Sequence, residues 1–417
     1  MRLWEKTYSQ TEALLSQYGS PLYVYEKGQI ITQVKLFDSN LGVVVGKGVK
    51  NYFAVKALPN PHILSILYQA GMGFDCSSLP EVHLAHKAGA SGEDIIYTSN
   101  NTTIEELTEA SADGAMINFD DLSLVQKFID CNHQPLPIAF CRYNPGDIEF
   151  VGLNQSIIGK PSEAKYGMPK DQIMKAYKLL KDSGVRRFGL HTMLLSNELD
   201  YKNHLRIARL LFELAIEIAD KLNIKFEKIN LGGGFGLAYS PDQHDFDIRT
   251  YGKELSKLYK QLDMQRAGSP QIITENGRWV TGDSGYLITK VINQKNTHRK
   301  YIGVDATMAN LMRPGMYGAY HHISLLSGRT DFDLNKVETV DVVGSLCENN
   351  DKFAVQRELP VTKEGDIIII HSAGAHGHAM GFQYNGKLRS AEVLLSDSSS
   401  ELIRRAETEV DYFATLV

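Results

Sequence analysis

The chain has 417 residues, an apolar fraction of 43% and a formal net charge of −5 from 44 basic and 49 acidic side chains. That length holds about two domains with sizeable cores, and the slight acidity recommends neither nucleic acid nor an anionic membrane as partner. Residues 1–20 lack the apolar centre of a signal peptide, no apolar stretch is long enough to span a bilayer, and Cys76, Cys131, Cys141 and Cys347 have no paired spacing, so free thiols in a cytoplasmic protein are expected.

In chain order, Pro21–Tyr25 is a β-prone run. From Asn51 to Glu275, short apolar runs alternate with helical periods. Strands are predicted at Asn51–Val55, Met72–Asp75, Asp94–Thr98, Ala115–Phe119, Pro137–Arg142, Arg186–Leu190, Lys228–Leu231 and Gln271–Glu275. Pro59 is read as opening a helix after the first. The clearest helical pattern is His204–Asn223, with Ile207, Leu210, Leu211, Leu214 and Ile218 on one face. Eight strands separated by helices predict a parallel sheet closed into a barrel, with a doubly wound open sheet as the alternative. After Gly285 the texture becomes β: Tyr286–Asn293, Tyr301–Asp305, Ile323–Leu326, Val337–Val343, Asp366–His371 and Ala391–Leu395, then a helix over Glu401–Phe413. The expected fold is α/β: a TIM-type (β/α)8 barrel over 27–283, with 1–26 and 284–417 forming a mostly-β domain of sandwich or Greek-key type. Pro21–Tyr25 is expected to join the latter as a strand.

Barrel active sites collect at the C-terminal ends of strands. Lys56, Asp75, Arg142, His191, Gly232–Gly236 and Glu275 all fall at such ends. A desolvated lysine there has a lowered pKa and favours a Schiff base; its own segment taken alone favours a strand-end lysine leaving the sheet for water, and the rest of the chain reverses that reading. The run Gly232-Gly233-Gly234-Phe235-Gly236 lets backbone N–H groups converge on an anion, but lacks the dinucleotide fingerprint. In Glu275-Asn276-Gly277-Arg278 the carboxylate suits a protonated ring nitrogen and the arginine a phosphate or carboxylate. Arg313–Tyr317 reads as loop-like, and Cys347-Glu348 follows a strand. His371, His376 and His378, and the pair His321-His322, lack a cysteine or carboxylate at ligand spacing, so no metal is expected.

Together these segments resemble the barrel-type, fold III pyridoxal-phosphate decarboxylases of amino acids, most of all diaminopimelate decarboxylase, from about Tyr23 to Leu395. The resemblance implies that Tyr52-Phe53-Ala54-Val55-Lys56-Ala57 is the Schiff-base segment, with Lys56 carrying the aldehyde of pyridoxal 5'-phosphate. Asp75 in Phe74-Asp75-Cys76-Ser77-Ser78, followed by Glu81, lies beside it, and Arg142 supports the ring side. Gly232, Gly233, Gly234 and Gly236 make the phosphate loop, helped by Ser196. Glu275 faces the ring nitrogen, with Gly277 and Arg278 in the same motif; Arg278 faces substrate or phosphate. Asp305-Ala306-Thr307-Met308 through Arg313 and Tyr317 resembles the segment that binds the substrate's distal carboxylate. Cys347 and Glu348 resemble a pair that reaches across a homodimer interface, where Cys347 donates a proton to the product carbon.

The chain departs from the family pattern at three places. His191-Thr192-Met193-Leu194-Leu195-Ser196 puts Met193 where a histidine usually stacks on the cofactor ring. His376, in Ala373-Gly374-Ala375-His376-Gly377, replaces a tyrosine that touches phosphate and substrate. Asn276 replaces a proline. The implied activity is decarboxylation of meso-diaminopimelate to lysine. The alternative, motivated by Met193 and His376, is another basic or carrier-bound amino acid: D-lysine, D-ornithine or a secondary-metabolite substrate. A non-catalytic carrier of the cofactor would have no use for the β domain's Arg313, Tyr317, Cys347 and Glu348.

Overall fold

The computed structural model describes residues 6–42, 48–131, 136–148, 160–397 and 399–417; the first five residues of the expected β domain lie outside these. The chain divides into two compact units: Met1–Ile30 with Tyr239–Gln243 and Val280–Val417, and Ile31–Ala238 with His244–Trp279.

After β1 (Leu22–Glu26), the next eight strands are β2 (Val49–Ala54), β3 (Gly73–Cys76), β4 (Ile95–Thr98), β5 (Met116–Phe119), β6 (Ala139–Arg142), β7 (Phe188–His191), β8 (Phe226–Asn230) and β9 (Gln271–Thr274). They pair in parallel and close into a barrel, β9 meeting β2 at Val49↔Ile272. Strands covered on both faces need apolar residues at successive positions, which is why these runs do not alternate. Tyr52, Ile96, Met116, Ile138, Phe140 and Ile273 form one buried cluster. At the N-terminal ends of the strands, Arg187 grips both Glu93 and Glu227, and Lys50 pairs with Asp94. This conspicuous charge network lies at the face where barrels keep stability rather than chemistry.

Two helices show how local chemistry sets their ends. Tyr201–Leu222 starts where the Asp200 side chain accepts from Lys202 N–H and stops at Asn223 in the left-handed region. Its Ile207, Leu211, Leu214 and Ile218 are buried, with Leu210 at the edge of the face. The helix expected from Pro59 begins instead at Pro61, because the Asn60 side chain caps His62 N–H and Pro61 fills the first turn.

The other unit holds β1 together with β10 (Gly285–Asn296), β11 (Lys300–Val304), β12 (Ile323–Leu326), β13 (Val337–Val343), β14 (Lys352–Pro360), β15 (Ile367–Ile370), β16 (Ala391–Leu395) and β17 (Ser400–Arg404). Among the described residues they form one nine-stranded sheet. Its order is β14-β13-β11-β10-β1-β16-β17, with β15 joining β10 to β12. β1 lies between β10 and β16, so Pro21–Tyr25 does supply a strand, and Leu22, Val24, Ile288, Ile367, Ile369 and Val393 bury its core face. The helix expected over Glu401–Phe413 is replaced by β17, which pairs with β16, and only Glu409–Phe413 is helical. β14 was not legible, because a register shift against β13 and a positive φ at Gln356 break its alternation. Arg313–Tyr317, expected as loop, is a short helix closed by Gly318 in the left-handed region.

Candidate active site

β2 ends at Ala54, and Val55–Ala57 makes a single 3-10 turn, which sets Lys56 just past the strand's C-terminal end. Its Nζ lies 3.0 Å from Oδ2 of Asp75, on the adjacent strand β3. Asp75 is 1% exposed, whereas the Lys56 side chain keeps 51% of its surface open although protein surrounds its amine; an amine that is both crowded and accessible lines a concavity. Burial acts to lower the Lys56 pKa, but the carboxylates of Asp75, Glu275 and Glu81 outweigh it and hold the amine above its ordinary value. That reverses the depressed pKa expected from the sequence: desolvation favours the neutral amine, yet facing acidic groups favour the cation more.

The two central carboxylates are driven apart. Burial, and then the charge of Glu275, raise the Asp75 pKa despite Lys56. Burial acts to raise Glu275 too, but His191, Lys56 and Asn230 hold it well below the usual carboxylate range. Two carboxylates facing one amine are thus pushed in opposite directions, Asp75 up and Glu275 down. His191, ending β7, places Nε2 3.4 Å from Glu275 Oε2. Asn118 Nδ2 donates to His191 Nδ1 at 2.8 Å, which leaves Nε2 facing Glu275.

Three asparagines brace the loops after β8 and β9. Asn230 Nδ2 donates to Glu275 Oε1 at 2.6 Å while its Oδ1 accepts Gly232 N–H at 2.9 Å. Asn276 Oδ1 accepts Phe235 N–H at 3.1 Å. Asn51 Oδ1 accepts Asn276 N–H and the Thr274 hydroxyl, each at 2.9 Å, and Asn51 Nδ2 donates to the Asn276 carbonyl at 3.0 Å. Gly236 N–H is used by the Glu198 carbonyl. Of the glycine run, this leaves Gly233 and Gly234 to face an anion. Among the described residues Gly234 N–H makes no hydrogen bond, and Gly233 N–H meets the sulfur of Met193 at 3.1 Å. A Cβ on Gly233 would sit 2.5 Å from the Glu275 carbonyl oxygen, and Gly234 has φ +98°, so the close approach needs glycine at both.

The remaining barrel residues are spread around this centre. Arg142 ends β6, donates to Asp120 Oδ1 at 3.1 Å and lies 4.5 Å over the Tyr166 ring. Ser196 is half-buried in the turn after β7. Gly277 is buried against Ala54 and Ala57, and Arg278 opens a short helix. In the β unit, Arg313 is buried and Tyr317 is half exposed. Cys347 and Glu348 are exposed, in a loop pinned by Asp351, whose two carboxylate oxygens accept from Met308 and Leu346 N–H. His376 has a positive φ. His371 meets the Ser324 hydroxyl and His378 the Ser390 carbonyl. Among the described residues, no group of three His, Cys, Asp or Glu side chains is placed to hold a metal.

Asn51, Asn118, Asp120, Asn230 and Tyr166 escaped sequence reading. The first four carried one signal: a polar side chain in, or directly after, an otherwise apolar barrel strand.

This centre offers an accessible amine, an ionised buried carboxylate and a pair of backbone donors. Asp75 Oδ1, His191 Nε2 and Asn276 Nδ2 are buried without a hydrogen-bond partner among the described residues. A cofactor bearing an aldehyde, a ring nitrogen and a phosphate fits that set of groups. Residues 27–282 match the pyridoxal-binding domain of the pyridoxal-dependent decarboxylases. The chain belongs to that family. This decarboxylase is 40% identical over 96% of its length to Protein TabA of Pseudomonas amygdali pv. tabaci, covering 92% of that protein. It is 33% identical to the diaminopimelate decarboxylase of Methanothermobacter thermautotrophicus over 95% of its own length and 92% of the relative's. The crystal structure of M. jannaschii diaminopimelate decarboxylase in co-complex with L-lysine superposes with a TM-score of 0.85 at 28% identity, covering 98% of this chain and 94% of that one. The protein is therefore a pyridoxal-phosphate-dependent carboxy-lyase acting on an amino acid, built on the fold III architecture.

Proposed function

We propose that the substrate is meso-diaminopimelate and the product lysine, in a cytoplasmic homodimer with shared active sites. The observation that carries the catalytic assignment is the single amine of Lys56, flanked by Asp75 and by a Glu275 kept ionised and braced to the glycine loop. Lys56 holds the cofactor's aldehyde carbon, with Asp75 and Arg142 beside it and Met193 against the ring. Glu275 keeps a proton on the ring nitrogen. Gly233 and Gly234 N–H, with Ser196, Arg278 and His376, receive the phosphate, while Gly232, Gly236 and Gly277 shape its loops. Bound pyridoxal 5'-phosphate supplies the sink for the electrons released as carbon dioxide leaves. The β domain reads the substrate and makes the dimer: Arg313, Tyr317, Arg278 and Glu348 recognise the far carboxylate and amine, and Cys347 of a second copy protonates the product carbon. The exposure of Cys347 and Glu348 in a well-pinned loop supports that role, as do the diaminopimelate decarboxylases among the relatives.

Borohydride reduction of the holoenzyme followed by peptide mass analysis should tag Lys56, and carbon dioxide release should be fastest with meso-diaminopimelate. A tag on another lysine ends the Lys56 assignment, and an inert diaminopimelate ends the substrate assignment. Met193 turning its sulfur to Gly233 N–H favours a second reading, in which the pocket serves D-lysine, D-ornithine or a carrier-bound amino acid. The same substrate panel separates the two.

A further inference from the structure

We propose that His321 and Tyr239 are positioning residues for Arg313, holding its guanidinium in one orientation to select amino acids that carry a second carboxylate. This rests on the reading of Arg313 as a substrate-recognising group.

The His321-His322 pair has so far had no role. His321 is fully buried, and its Nδ1 lies 2.8 Å from the His371 carbonyl oxygen. A carbonyl only accepts, so Nδ1 carries the proton and Nε2 is left as a lone pair. Arg313 Nη1 donates to that lone pair at 3.1 Å. The guanidinium carbon lies 4.6 Å over the Tyr239 ring, and the Tyr239 and His321 rings meet edge to face at 5.1 Å. The scaffold is itself fixed: Arg357 donates to the His321 carbonyl at 3.1 Å, and His371 N–H donates to the His322 carbonyl at 2.9 Å. The ring face sets the plane of the guanidinium and the imidazole sets its rotation about the side-chain axis. Both are uncharged, so they orient the cation without neutralising it. A bidentate grip on a planar carboxylate needs its fork presented in one orientation.

The test compares wild type, His321→Leu, His321→Gln, Tyr239→Leu and Arg313→Ala holoenzymes on meso-diaminopimelate and on D-lysine, which lacks the far carboxylate, as substrate or competitive ligand. His321→Leu should raise KM for meso-diaminopimelate about tenfold, the size of one hydrogen bond to a charged group, with kcat within about twofold. D-lysine affinity should not change. His321→Gln keeps an acceptor for Arg313 and a donor for the His371 carbonyl, and should restore KM to near wild type. Tyr239→Leu should raise KM in the same selective way, and stands in if His321→Leu does not fold. An unchanged KM in His321→Leu or Tyr239→Leu while Arg313→Ala raises it would overturn the proposal, as would equal losses for both ligands. An Arg313→Ala enzyme with unaltered KM for meso-diaminopimelate would instead refute the underlying reading of Arg313.

Discussion

Adding one methyl group at Gly233 has a predictable sign and size. An alanine Cβ there would lie 2.5 Å from the Glu275 carbonyl oxygen and 2.9 Å from its carbonyl carbon, where ordinary contact begins near 3.4 Å. Both are backbone atoms and cannot rotate away, so the loops after β8 and β9 must separate. The hydrogen bonds that span this gap, Glu275 N–H to the Gly232 carbonyl at 2.9 Å and Asn230 to Glu275 at 2.6 Å, lengthen together. Overpacking of this kind costs about 1–3 kcal/mol. Gly28 is the contrast: it lies in the helix Lys27–Leu41, and a Cβ there meets nothing within 4 Å. Alanine at Gly28 should stabilise the protein by up to about 1 kcal/mol through helix propensity. Urea unfolding of both variants without cofactor should give opposite signs, and Gly233→Ala should also weaken pyridoxal-phosphate binding by about tenfold, since 1.4 kcal/mol is a factor of ten. If Gly233→Ala unfolds at the wild-type urea concentration and binds the cofactor normally, the claim that the two loops form one braced unit fails.

Other perturbations probe separate parts. Asp120→Ala leaves the nearly buried Arg142 guanidinium without its carboxylate and should cost about 3–5 kcal/mol of unfolding free energy; a loss under about 1 kcal/mol would show that Tyr166 alone suffices. His204, ringed by Phe235, Phe246 and Tyr251, has its pKa pushed down by burial to about 4. The unfolded chain therefore binds a proton that the folded one refuses, so stability present above about pH 6.5 declines by roughly 3 kcal/mol as pH falls towards 4. His204→Phe should remove that share of the slope, while His371, also lowered to about 4, keeps its own; parallel stability curves for wild type and variant over pH 4–7 would contradict this. Met193→Leu frees Gly233 N–H from its sulfur acceptor and should tighten inorganic phosphate binding to the cofactor-free protein by about 2–5-fold, read by calorimetry. Unchanged affinity would mean that Gly233 N–H does not face the anion.

The positions of the eight barrel strands were readable to within two or three residues, because burial on both faces writes an apolar run into each strand wherever its neighbours come from. β12, β13 and β16 were readable end to end. Reading failed where one strand's pattern is set by another. β17 looked helical until its pairing with β16 decided otherwise, and β14 was hidden by irregularities that show only in its pairing with β13.

Lys56, Glu275 and the glycine run could be located from the chain alone, since a strand-end position is a local property and glycine is needed wherever backbones must touch. The charge on the Lys56 amine was not local. It depends on carboxylates from β3 and from the end of β9, and these turned an expected depression into a rise. The asparagine braces are the extreme case: Asn51 and Asn276 stand 225 positions apart and meet only because β2 and β9 close the barrel. Apolar periodicity and strand-end position brought Lys56, Asp75, Arg142, His191, the glycine run and Glu275 forward as candidates. Which of them hold protons, and which hold each other, was decided by closure of the sheet, because electrostatics and hydrogen bonding act through distance in space and not along the chain.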